Sequence, residues 1–85
     1  MTYTVEILRT AQGQLAKIAR QDRGRIIAAI RALANEPRPH GCKKLSGRPA
    51  WRIRVGTYRV IYEIHDDRLV VVVAAVGHRK DVYRT

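Results

Sequence analysis

Three arginines stand where phosphate chemistry could use them. Arg52 and Arg54 lie two apart in an alternating run, and Arg59 follows a Gly56-Thr57 pair suited to a tight two-residue hairpin turn. That turn sets Val55 opposite Tyr58 and Arg54 opposite Arg59. Trp51, Ile53, Val55, Tyr58, Val60, Tyr62 and Ile64 then share one face, and Arg52, Arg54, Arg59 and Ile61 share the other. The first face reads as core and the second as cationic. A guanidinium is a planar fork that donates paired hydrogen bonds to a phosphate and can stack on a base. Like charges held side by side repel unless an anion sits between them. An isolated Arg-x-Arg is ordinarily a solvated basic strand; a third arginine across the hairpin points to a bound phosphate. Between Pro37 and Tyr62 there is no acidic residue, while Arg38, Lys43, Lys44, Arg48, Arg52, Arg54 and Arg59 supply seven positive charges. Lys43, Lys44 and Arg48, in a loop rich in proline and glycine, are candidate RNA-phosphate contacts.

The elements that position these groups follow from periodicity. Tyr3, Val5 and Ile7 alternate with Thr4, Glu6 and Leu8, which predicts a first strand. A helix starts from Thr10 as cap candidate, with Ala11, Leu15, Ile18 and Ala19 on one face. Asp22 caps a second, whose stripe is Ile26, Ile27, Ile30, Leu33 and Ala34 and which ends at Asn35-Glu36-Pro37. Arg20, Arg23, Arg25 and Arg31 read as its solvated outer side. After the hairpin, a turn at Asp66-Asp67 leads into Leu69–Val76, a β-branched run that reads as a central strand. With His65 facing Arg68 across that turn, Arg59 falls opposite Ala74, a small residue that leaves room beside the guanidinium. Ile61, Val70, Val72 and Val76 then lie on the cationic face, an apolar surface open to a partner segment. The fold class is α+β: an N-terminal strand and an α-helical hairpin packed on one face of a mainly antiparallel four-stranded sheet, in one domain spanning 1–85.

Composition narrows the partners. With 17 Lys and Arg against 7 Asp and Glu, the 85-residue chain carries a formal charge of +10, so nucleic acid is the leading partner class. No apolar run approaches the roughly 20 residues that span a bilayer, and the basic residues are not gathered on one amphipathic helix, which argues against a membrane. The opening residues lack the pattern of a signal peptide, and the lone Cys42 has no partner for an internal disulfide; both suit the cytoplasm. Cys42 reads as incidental. His40 and His65 belong to no Cys or His cluster with metal spacing, so neither a metal nor a cofactor is expected.

The order of the pieces carries a resemblance. The helical hairpin, the Lys43-Lys44-Leu45-Ser46-Gly47 loop, Arg52-x-Arg54, Tyr58-Arg59-Val60-x-Tyr62, and the closing Gly77-His78-Arg79 with Val82-Tyr83 resemble the RelE branch of the RelE/ParE toxin superfamily along essentially the whole chain. The resemblance implies a fold like that of microbial ribonucleases. It also implies the toxin of a type II toxin–antitoxin pair, a ribosome-dependent endoribonuclease that cuts messenger RNA in the A site through attack of a ribose 2′-hydroxyl and so inhibits translation. It places Arg52 and Arg54 at two catalytic basic positions, Arg59 at the arginine of the Tyr-Arg pair, Arg79 at the arginine after the last strand, and Tyr83 at the C-terminal tyrosine that stacks on a base. Its implied partners are the ribosome, messenger RNA and a RelB-like antitoxin with an acidic amphipathic segment. Where the best-known RelE pattern has lysines, this chain has Arg52 and Arg54, which stay protonated and make poor bases. His78, directly before Arg79, is therefore the candidate for proton transfer, against the plainer reading of a solvated histidine. A ParE-like gyrase inhibitor and a non-catalytic nucleic-acid-binding module are the rival readings.

Overall fold

Alternation of β-branched and polar residues produces β1 (Thr4–Ile7), after which the chain enters α1 (Arg9–Ala16) and α2 (Arg20–Ala32). The computed structural model describes residues 2–78. Beyond α2 come β2 (Lys43–Lys44), β3 (Trp51–Val55), β4 (Tyr58–His65) and β5 (Val70–His78). The sheet order is β1-β5-β4-β3-β2, with β1 parallel to β5 and every other neighbour antiparallel. The sheet thus has five strands instead of the expected four. The addition is β2, where Lys43 and Lys44 leave the predicted loop to pair with Arg52 and Trp51.

Neither helix is capped as the sequence suggested. The N-cap of α1 is Leu8, with Thr10 inside the first turn, and the N-cap of α2 is Ala19; no side chain caps either. Asp22 sits in the first turn of α2, where a carboxylate suits the helix dipole, and it accepts a hydrogen bond from Arg25 at 2.9 Å. Both helices lie on one face of the sheet. Ala11, Leu15, Ile26, Ile30 and Leu33 bury against Ile53, Val60, Tyr62, Val71, Val73 and Val76. Tyr62, fully buried, donates its hydroxyl to the Pro37 carbonyl at 2.8 Å and so ties the chain after α2 to the sheet. Burial, and then the adjacent Cys42 thiol, push that hydroxyl well above the ordinary tyrosine range.

The β3–β4 register is the predicted one, with Val55 paired to Tyr58 and Arg54 to Arg59. Gly56 takes φ 61 while Thr57 does not, as a type II′ turn requires. The β4–β5 register is not the predicted one. His65 pairs with Val70 across four connecting residues, the last of which, Leu69, has φ 53. A bulge then leaves Ala74 unpaired, so Arg59 faces Gly77 and not Ala74. The same bulge turns Val76 onto the helical side, where it is 1% exposed, and removes it from the apolar surface assigned to the cationic face. Ile61 does lie on that face, but it is not open: with Ala50 and Ala75 it forms a second buried cluster, flanked by Leu45.

A polar clasp joins three distant segments. Asp66 accepts hydrogen bonds from Tyr3 at 2.6 Å and from Arg38 at 2.9 and 3.2 Å, and the Arg38 guanidinium lies 5.1 Å from the centre of the Trp51 ring. The bonds from Arg38 first, then Tyr3, hold the Asp66 carboxyl at about 2. A depressed carboxyl contributes stability in full above its unfolded value and loses it as pH falls through the folded one. The parent protein is therefore expected to melt higher than Asp66→Asn at neutral pH. The gap closes as pH is lowered from about 4 to about 2, read by thermal melts across that range.

Candidate nucleic-acid interface

Cross-strand pairing on the face away from the helices builds the site. Arg54 and Arg59 occupy directly opposed positions, with Cα atoms roughly 5 Å apart for such a pair. Arg54 is exposed and Arg59 half-buried. The end of β5 brings in His78, which pairs with Tyr58; the two rings stand 4.4 Å apart at 34°. Arg54, Gly56, Thr57, Arg59 and His78 together line a hollow of about 270 Å³. Two permanent cations and a titratable imidazole around one concavity of this size suit a phosphate and its ester oxygens.

Arg52 behaves differently. It faces the same way as Arg54 but is only 7% exposed, over the second apolar cluster and opposite Ile61. Its Nε is buried with no hydrogen-bond partner among the described residues. A guanidinium held this way is costly, and its charge acts through a poorly screened medium on whatever anion approaches Arg54. Arg52 and Arg54 also line a larger cleft of about 580 Å³, closed by Ala29, Ala32 and Leu33 of α2 on one wall and by Pro39, His40, Gly41 and Lys43 on the other. Nothing in the sequence pattern announced this cleft. It exists because β2 is only two residues long, so β3 beyond Arg52 has no strand beside it.

Of the residues singled out from sequence, Arg54, Arg59 and His78 converge on one hollow, and Arg52 and Lys43 adjoin it through the larger cleft. Lys44 and Arg48 are exposed and line neither. Arg79 and Tyr83 lie outside the described residues. Among the described residues, no group of three or more His, Cys, Asp or Glu is arranged to hold a metal, and no helix is long and apolar enough to cross a membrane.

Opposed like charges destabilise a ladder until an anion separates them. Inorganic phosphate at constant ionic strength is thus expected to raise the melting temperature of the parent protein by several degrees and that of Arg54→Ala by clearly less. Equal shifts in differential scanning fluorimetry would show that the pair holds no anion.

Comparison with known proteins gives one family and two emphases within it. Residues 5–83 match the family described as the ParE toxin of type II toxin–antitoxin system, parDE. Toxin RelG of Mycobacterium tuberculosis is 37% identical over an alignment of 92 residues that takes in 99% of this chain and 99% of that protein. The toxin–antitoxin complex RelBE2 of Mycobacterium tuberculosis contains a chain that superposes with a TM-score of 0.82 at 32% identity, covering 93% of this chain and 100% of that one. A chain of the archaeal RelE–RelB complex of Pyrococcus horikoshii gives 0.83 at 28% identity, covering 95% and 99%. The site and these likenesses agree: the chain belongs to the RelE/ParE superfamily, as a RelE-like toxin of the type II toxin–antitoxin class.

Proposed function

We propose that this toxin is an endoribonuclease that cleaves messenger RNA in the ribosomal A site and thereby stops translation. The observation that carries the reading is the opposed pair Arg54 and Arg59 beside His78 around one hollow with room for a phosphate and its ester groups. In the reaction a ribose 2′-oxygen attacks the adjacent phosphorus. Its proton passes to a base, the bond to the 5′-oxygen breaks, and that oxygen takes a proton, leaving a 2′,3′-cyclic phosphate. The pentacovalent phosphate gains negative charge, and guanidiniums already aimed at it lower the barrier without reorganising. Arg54 and Arg59 fill this role, with the buried charge of Arg52 behind them. Arginine does not give up its proton at neutral pH, so proton transfer falls to His78. Arg79 would add a further cation and Tyr83 a stacking surface for a base. Lys43, Lys44 and Arg48 extend the cationic track along which RNA backbone would run.

The partner that silences the toxin is a RelB-like antitoxin. Two of the related toxins stand in toxin–antitoxin complexes, RelBE2 and RelE–RelB, and this surface suits an acidic, amphipathic segment that folds as it binds. The edge of β3 offers it a place: pairing with β4 directs the main chain of Arg54 outward, beyond the reach of β2, into the cleft against α2.

Incubating the protein with programmed ribosomes and mapping RNA ends tests the activity. Cleavage within the A-site codon is expected, with Arg54→Ala and Arg59→Ala each slowing it by about 10²-fold or more. His78→Ala is expected to slow it by about 10²-fold or more; cleavage at the parent rate rules out proton transfer by His78. The ParE description of the matched family favours a second reading, poisoning of DNA gyrase. Intact RNA on ribosomes together with blocked supercoiling by gyrase would decide for it. Intact RNA with normal supercoiling would leave a nucleic-acid-binding module.

A further inference from the structure

We propose that Gln14 of α1 is a positioning residue for the cationic site: its side-chain amide takes the place of a missing length of β1 and fixes the end of β5. The functional half of this proposal rests on the nuclease reading; the structural half does not.

Residues of β5 alternate in the side to which they direct their main-chain groups. Leu69 and Val73 face β1, accepting from the amides of Thr4 at 2.8 Å and Leu8 at 3.0 Å. Past Ala74, Ala75 and Gly77 face β4, so Val76 points to the side from which β1 has already departed into α1. Val76 is 1% exposed, so leaving unmade the bond that β1 does not supply would be costly. Gln14 does: its Oε1 accepts from the Val76 amide at 2.7 Å, between residues 62 apart in sequence. A donor on the strand requires the oxygen of the carboxamide there, so the orientation of the Gln14 amide is settled by its partner.

The position matters more than the bond. The next residue, Gly77, lies opposite Arg59, and the one after it, His78, lies opposite Tyr58 and lines the Arg54–Arg59 hollow. Strand ends with an open side fray. Gln14 holds this one closed, although it does not line the hollow itself. A residue of the opening helix thereby sets where the imidazole stands relative to the two guanidiniums.

The test compares Gln14→Leu, which keeps the bulk and loses the acceptor, with Gln14→Glu, which keeps an acceptor oxygen. Amide hydrogen exchange and ribosome-dependent cleavage are measured on the intact toxin, at a temperature where far-UV circular dichroism shows each variant folded. For Gln14→Leu the amides of Val76, Gly77 and His78 are expected to exchange at least about tenfold faster, with those of β3 unchanged. Its kcat is expected to fall at least about tenfold with KM nearly constant, because the groups that bind RNA remain. Gln14→Glu is expected to restore both. Should Gln14→Leu fail to fold, Gln14→Asn, one methylene too short to reach, carries the same expectations. Parent-like exchange at those three amides overturns the proposal, and so does faster exchange with an unchanged kcat. If the parent protein cuts no RNA on ribosomes, the nuclease reading falls on its own. Exchange confined to Val76–His78 then still upholds the anchoring of β5, and unchanged exchange still overturns it.

Discussion

Two guanidiniums are held directly opposite each other by a hairpin that cannot let them part. The ladder between β3 and β4 places Arg54 against Arg59, and the same ladder places Val60 and Tyr62 in the core. A slip of one residue would separate the two arginines but would turn both apolar side chains to the outer face, because side chains alternate along a strand. The tight turn at Gly56 leaves no slack to absorb such a slip. The positions of the two arginines are therefore fixed by the buried face, and an anion can bridge them without either strand having to move.

How much of this could be read from the sequence depends on how local the determinants are. The arginine pairing was legible because a two-residue turn fixes register by counting outward. The β4–β5 register was not. Its connection is four residues long, ends in a non-glycine residue with positive φ, and is followed by a bulge at Ala74, none of which alters the β-branched pattern that identifies the strand. A connection two residues longer than predicted and one bulged residue together moved Arg59 from Ala74 to Gly77, and the bulge carried Val76 through the sheet to the helical side. The helix ends were misassigned for a related reason: Thr10 and Asp22 are good cap residues, but packing of Ala11 and Ile26 sets the helix starts earlier, at Leu8 and Ala19. Lys43 and Lys44 form too short a strand to leave a pattern of their own. The tie between Gln14 and Val76 spans the length of the fold and has no local signature at all.

The three arginines of the outer face divide along a gradient of exposure. Arg52 is buried over apolar side chains, Arg59 is half-buried, and Arg54 stands in solvent. Charge near the sheet is fixed and poorly screened, while charge at the rim is mobile and can follow a substrate. This grading separates the chain from a plain basic surface, where cations stand in water with equal freedom. It also bears on the two branches of the superfamily. They share a scaffold, so the emphasis on ParE in one comparison and on RelE in others describes common architecture, and a shared fold does not by itself fix what a member acts on.

Strand β1 has a consequence for when the molecule becomes complete. It precedes every other described strand in the sequence, yet its partner is β5, with Thr4 against Val70 and Ile7 against Val73. The hairpin of β3 and β4 joins neighbours and can form early, whereas the parallel pair must close a loop that contains both helices and the three strands between. The cationic face is therefore completed late in folding, because His78 joins Arg54 and Arg59 only once β5 has docked on β4.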